Sequence, residues 1–172
     1  MTIRRLFPAD AEAYRALMLE GYARHPDAFT STAAEREALS LSWWQKRLDA
    51  SPSAEQVVFG AFDGDVLAGA AGLQFQAREK ARHKADLFGM YVAPSARGTG
   101  FGRQLVVAIL EEAAAREGVR IVQLTVTEGN AAAQTLYERC GFQPFGVEPY
   151  AVALGTVYLS KVHMWRAVAA LD

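Results

Sequence analysis

Residues 85–105, ADLFGMYVAPSARGTGFGRQL, constrain the fold of this 172-residue chain more than any other stretch. An apolar run from Leu87 to Val92 is stopped by Ala93-Pro94-Ser95. The chain then crosses the glycine-dense turn Arg97-Gly98-Thr99-Gly100-Phe101-Gly102 and enters an amphipathic segment starting near Arg103. The pattern predicts strand, loop and helix. Glycines at 98, 100 and 102 remove side-chain bulk from the loop, so its backbone N–H groups can close on an anion at the start of a helix. A loop of this kind suits a phosphate-bearing ligand.

Two nucleotide-binding patterns fit poorly. A Walker loop needs Gly-Lys followed by Ser or Thr, and this loop has no lysine. A dinucleotide fingerprint needs G-x-G-x-x-G and a carboxylate about 20 residues later, whereas the glycines here run G-x-G-x-G and Val119 to Val122 offer no carboxylate. The pattern R-x-x-G-x-G, filled by Arg97, Gly100 and Gly102 after Met90-Tyr91-Val92-Ala93-Pro94, does fit. It resembles the coenzyme A loop of the GNAT superfamily of N-acetyltransferases. A second stretch, Asn130 through Tyr137 to Gly141-Phe142, resembles the same family. His25-Pro26-Asp27-Ala28-Phe29 is similar to a group of its bacterial members and indicates no particular acceptor.

The order of predicted elements agrees with that resemblance. Thr2 to Phe7 reads as a strand ended by Pro8. A helix from Asp10 follows, with Tyr14, Leu17, Met18 and Tyr22 at helical spacing, ended by His25-Pro26. Ala33 to Ala50 reads as one helix carrying Leu39, Trp43, Trp44 and Arg47. Trp43 and Trp44 suit helix packing, a dimer contact or an acceptor-pocket lining. Gln56 to Phe62 and Val66 to Gln76 flank Asp63-Gly64-Asp65, a hairpin signal. Arg78, Lys80, Arg82, His83 and Lys84 form a basic connection, read as a solvated loop or as a gate over an acidic group.

Beyond the glycine loop, Leu105, Val106, Ile109, Leu110 and Ala113 make one apolar stripe that ends at Gly118. The strand Val119 to Thr127, reached through this helical crossover, should run parallel to the central one. Asn130 is placed to cap a helix over Ala131 to Arg139, and Val147 to Leu154 with Val157 to Trp165 read as a closing hairpin about Gly155. The expected fold class is α/β (α+β): one domain over 1–172 with a mixed, mostly antiparallel sheet of six to seven strands. About four helices flank it, and a parallel pair splays at its centre.

A net charge of −1 gives no electrostatic case for a nucleic acid partner. The single cysteine, Cys140, excludes an internal disulfide and fits a reducing, cytoplasmic setting. No apolar run is long enough for a membrane span. His25, His83 and His163 lack ligand spacing, so no metal is expected.

The resemblance implies acetyl-CoA as co-substrate, held by Met90, Tyr91, Val92, Arg97, Gly98, Thr99, Gly100, Phe101, Gly102, Arg103, Asn130, Ala133 and Tyr137. It implies a primary amine of a small molecule, peptide or protein as acceptor, attacking directly in a ternary complex, and it is compatible with a homodimer. A non-catalytic acyl-CoA-binding or sensing module is the alternative. An alkyl amine is neutral in only about one molecule in a thousand at pH 7, a handicap of roughly 4–5 kcal/mol, so something must take its proton. Asp86, eleven positions before Arg97, stands where some members of the family carry a catalytic glutamate, and being shorter it would act through water. Its other reading is a surface ion pair with Lys84 or Arg82. Tyr137 is the candidate acid for the departing sulfur, or else a core tyrosine. A bulge near Met90 to Val92 would free a main-chain N–H for the thioester carbonyl.

Overall fold

Seven strands form one mixed sheet: β1 (Thr2–Arg5), β2 (Gln56–Asp63), β3 (Val66–Phe75), β4 (Lys84–Val92), β5 (Ile121–Thr127), β6 (Gln143–Leu154) and β7 (Val157–Ala167). Their spatial order is β1-β2-β3-β4-β5-β7-β6, and every pairing is antiparallel except β4 with β5. The structure, a computed structural model, describes residues 1–170. Five helices accompany the sheet: α1 (Ala11–Arg24), α2 (Ala33–Glu37), α3 (Leu41–Arg47), α4 (Phe101–Ala115) and α5 (Ala131–Arg139).

The fifth helix arises because the helix expected over Ala33 to Ala50 is two. Ala38 caps α2, and Ser40 leaves helical geometry at ψ 157° before α3 begins. The break redirects the chain so that Trp44, 1% exposed, meets Tyr14 edge to face at 5.6 Å. Helical periodicity spans such a break because it reports which residues are apolar, not whether the backbone between them is continuous. The glycine-loop helix starts two residues earlier than expected, at Phe101, whose ring is buried. The parallel strand starts two residues later, at Ile121.

The sheet separates two cores. On one face α4 presents Leu105, Val106, Ile109, Leu110 and Ala113 to Val57, Leu73 and Val122. On the other, Tyr14, Met18 and Trp44 close over Val58, Ala70 and Tyr91. β7 lies between β5 and β6 and pairs with β5 from Ile121↔Ala167 to Thr127↔Lys161, leaving β6 as the outer edge.

β4 changes phase midway. Gly72 pairs with Phe88 and Ala70 with Tyr91, so two residues of β4, Gly89 and Met90, stand opposite one of β3. Gly89 makes this bulge at φ +60°, a conformation that residues with a Cβ disfavour. Without the extra residue Leu87 and Tyr91 would share a face; with it Leu87 joins the α4 core and Tyr91 the α1 core. Replacing Leu105, fully buried between α4 and β3, by alanine should destabilise the fold by about 2–5 kcal/mol in urea unfolding.

Candidate active site

β4 and β5 pair only at Lys84↔Ile121, Ala85↔Val122 and Asp86↔Gln123, after which no rung joins them. Two cavities open along the parted strands. The first, about 530 Å³, is lined by Met90, Tyr91, Val92, Arg97, Gly98, Gly100, Phe101, Gly102 and Arg103. Asn130, Ala133, Leu136 and Arg139 of the α5 side, with His25, Ala28 and Phe29, complete it. The second, about 300 Å³, runs from Leu87 to Met90 on β4 and from Thr125 to Thr127 on β5, toward Tyr137, Arg36, Arg47 and Lys161. Ala28, Phe29, Met90, Asn130 and Ala133 border both, so the cavities adjoin through the gap between the strands.

The loop of the first cavity is shaped by its glycines. Gly98 and Gly100 have φ +78° and +89°, and Gly100 is the N-cap of α4. At Gly102 a Cβ would stand 3.2 Å from Leu136 and 3.4 Å from Met90, so this glycine lets the helix start approach α5 and β4. The first-turn N–H groups of α4 therefore face an open cavity, where an anion is favoured by the free donors and the helix dipole. Arg97 donates from Nε to the Val92 carbonyl at 3.1 Å and from its terminal nitrogen to His25 Nε2 at 2.8 Å. An arginine only donates, so His25 carries its proton on Nδ1 in this arrangement. Thr99 is the one expected loop residue outside the lining; its hydroxyl turns back to the Ala96 carbonyl.

Asn130 caps α5, its Oδ1 accepting from Ala133 N–H at 3.2 Å, which leaves its amide N–H₂ for a ligand. Tyr137 lies one helix length further on, 5% exposed, and lines the second cavity rather than the first. Its hydroxyl has no hydrogen-bond partner within the protein among the described residues, and burial first, then the nearby Cys140, push its pKa well above the tyrosine range. Cys140 lines neither cavity, and burial pushes its thiol up, against thiolate formation.

Asp86 sits at the last β4–β5 rung, one residue before the second cavity begins at Leu87. Its carboxylate accepts from the Gln76 side-chain amide. The alternative reading, an ion pair with Lys84 or Arg82, does not form. Arg78, Lys80, Arg82 and His83 are exposed and line neither cavity, so the basic connection is a solvated loop. Among the described residues no group of His, Cys, Asp and Glu could hold a metal ion, and no helix is long and apolar enough to cross a membrane.

Several bordering residues escape sequence reasoning. His25 enters through its contact with Arg97, and Arg139 through α5. The loop after α1 is pinned across the gap by Thr127 Oγ1 donating to the Asp27 carbonyl at 2.7 Å and by Lys161 Nζ donating to Thr30 Oγ1 at 2.7 Å. Arg36, Arg47 and Lys161 come from three separate elements. No local pattern links them.

Residues 14–142 match the model of the acetyltransferase (GNAT) family, and the chain belongs to that family. A mycothiol acetyltransferase of Salinispora tropica is 31% identical over 83% of this chain, which spans 44% of that relative's length. The L-amino acid N-acetyltransferase AaaT of Escherichia coli is 29% identical over 96% of this chain and 97% of its own. Among solved structures, a GNAT-family acetyltransferase from Streptococcus pneumoniae superposes with a TM-score of 0.85 at 26% identity, covering 96% of this chain and 98% of that one. An acetyltransferase of Salmonella typhimurium solved with its cofactor acetyl-CoA superposes at 0.80 and 23% identity, over 100% and 98%.

Gly100→Val would force a branched side chain to φ +89° at the cap of α4. It should cost about 1–2 kcal/mol in chemical unfolding and abolish protection of the protein by inorganic pyrophosphate in a thermal melt.

Proposed function

We propose that this chain is an acetyl-CoA-dependent N-acetyltransferase that transfers the acetyl group directly to a primary amine in a ternary complex. The observation that carries the reading is the pair of adjoining cavities, one ending in a glycine-loop anion cradle and the other lined by the side chain of Tyr137. The first cavity suits a long phosphate-bearing arm, with the pyrophosphate on the N–H groups of α4 and the pantetheine beside Met90 to Val92 and Asn130. The second suits the amine. Relatives named mycothiol acetyltransferase and L-amino acid N-acetyltransferase support a small acceptor.

In this reading the amine nitrogen attacks the thioester carbon while the bulge at Gly89 and Met90 turns a main-chain N–H to the carbonyl oxygen. The C–S bond then breaks. Tyr137 donates its O–H to the sulfur as charge develops there, and its raised pKa keeps it protonated at neutral and moderately alkaline pH. The amine's proton leaves through water toward Asp86, whose carboxylate stands at the closed end of the parted strands. Cys140, outside both cavities with its thiol pushed up, is not a relay for the acetyl group.

Calorimetry should show CoA binding, and incubation with acetyl-CoA and an amine panel should release free CoA with at least one acceptor; absence of CoA binding refutes the reading. Tyr137→Phe should lower kcat about 10–100-fold with CoA affinity unchanged, and the loss should be constant across pH because the hydroxyl does not titrate in that range. Asp86→Asn should lower kcat/KM about tenfold or more; an unaltered kcat/KM would leave proton removal to water alone.

A further inference from the structure

The second cavity has an electrostatic character that amine binding does not explain. Three cationic side chains border it, Arg36 on α2, Arg47 on α3 and Lys161 on β7, and no aspartate or glutamate does among the described residues. A protonated amine approaching from solvent meets repulsion there, so the cations must answer to something else.

The two arginines are held in fixed positions. Both guanidinium carbons lie within about 5 Å of the Trp43 ring centre, Arg36 at 4.8 Å and Arg47 at 5.0 Å, and Arg47 also stands 4.4 Å from the Phe88 ring centre. Two like charges share one indole, and neither forms an ion pair among the described residues. Arg36 Nε is shut off from solvent and has no hydrogen-bond partner, an unmade bond of a kind folded proteins seldom leave.

Glu35 caps α2 through Thr32, Glu148 accepts from His163 at 3.0 Å, and Asp49 and Glu55, on an adjoining surface that Arg47 borders, make no ion pair with it. Burial lowers the pKa of Lys161, and Glu148, its cross-strand partner on β6, acts against that shift. The Tyr14 hydroxyl is beside the bulge: a Cβ at Gly89 would lie 3.9 Å from it. Burial raises its pKa, and Arg47 and Arg36 act against that rise, so both cations bear on the end of the cavity where β4 turns.

We propose that the acceptor is a small amine that also carries an oxyanion group, and that Arg36 and Arg47 grip this group while the amine points toward Tyr137. The inference rests on the acetyl-transfer reading of the same site. A guanidinium fork fits a carboxylate with two parallel hydrogen bonds, and two forks on one aromatic shelf can hold a carboxylate or a phosphonate. Phe29, Leu87, Phe88 and Met90 give the cavity an apolar stretch beside Thr30, Ser31 and Thr125, room for an apolar body between the two polar ends. The volume of about 300 Å³ suits a molecule of amino-acid size better than a polyamine or a peptide.

A matched set of acceptors tests this on the unaltered protein: L-leucine, L-leucinamide, 3-methylbutylamine, the phosphonate analogue of leucine, and spermidine. Acetyl transfer is followed by CoA release. Binding is followed by calorimetry with and without saturating CoA, which needs no turnover. The expected result is kcat/KM for leucine or its phosphonate about 10–100-fold above the amide and the simple amine, with spermidine poorest. The two acids between them tell which oxyanion is taken. Arg36→Gln and Arg47→Gln should each remove that preference by raising KM for the acid about tenfold or more without raising KM for 3-methylbutylamine, whose repulsion they lessen, or for acetyl-CoA. Arg36→Lys, which keeps the charge without the fork, should recover only part of it. Equal turnover or binding of the acid and the simple amine, a preference for spermidine, or equal loss on all acceptors in the variants overturns the proposal. Failure to bind CoA would instead overturn the acetyl-transfer reading, and the acceptor titrations without CoA still decide whether the arginines grip an acid.

Discussion

β4 and β5 share three rungs and then part, and the rest of the site depends on that separation. Two neighbouring strands that stop pairing leave backbone donors and acceptors without partners, which a folded protein supports only if something else occupies them. Here the bulge at Gly89 and Met90 supplies the geometry. It adds a residue to β4, inverts the facing of everything after it, and bends the strand away from β5. The same inversion carries Tyr91 into the α1 core, where its hydroxyl donates to Glu20 at 3.2 Å, so β4 remains anchored beyond the gap.

Each side of the gap is closed by a different part of the fold. α4 and α5 close one side through the contact of Gly102 with Leu136, which sets the glycine loop beside the strand end. α1, α2 and α3 close the other, with Tyr14 and Trp44 in the core and Trp43 turned to the arginines. The loop after α1 crosses between the two cavities and is tied down by Thr127 and Lys161, so the partition rests on side chains from β5 and β7. The insertion of β7 beside β5, rather than β6, is what places Lys161 there.

Much of this was legible from residue order. The strand–loop–helix at Ala85 to Leu105, the parallel crossover, the cap at Asn130 and the apolar stripe of α4 follow from local patterns, because each depends on residues within one or two turns of each other. The division of Ala33 to Ala50 into α2 and α3 was not legible, since apolar spacing continues across the break and only the burial of Trp44 against Tyr14 decides it. Tyr137 is buried on an apolar helix face, as its spacing suggested, and it also lines the second cavity. Asp86 stands near the gap yet is held by Gln76, a partner ten residues away across a turn.

By itself the sequence determined the family-like core of the protein: a glycine loop at the start of a helix, the strand before it, and the capped helix that follows, all specified by short-range backbone and capping chemistry. Only the tertiary structure decided what the second cavity is. Arg36, Arg47 and Lys161 have no periodic or spacing relation along the chain. They meet because a broken helix, a strand bulge and an inserted strand converge on one gap. A cluster of like charges from such distant residues is a property of the packed surface, which no local stretch encodes.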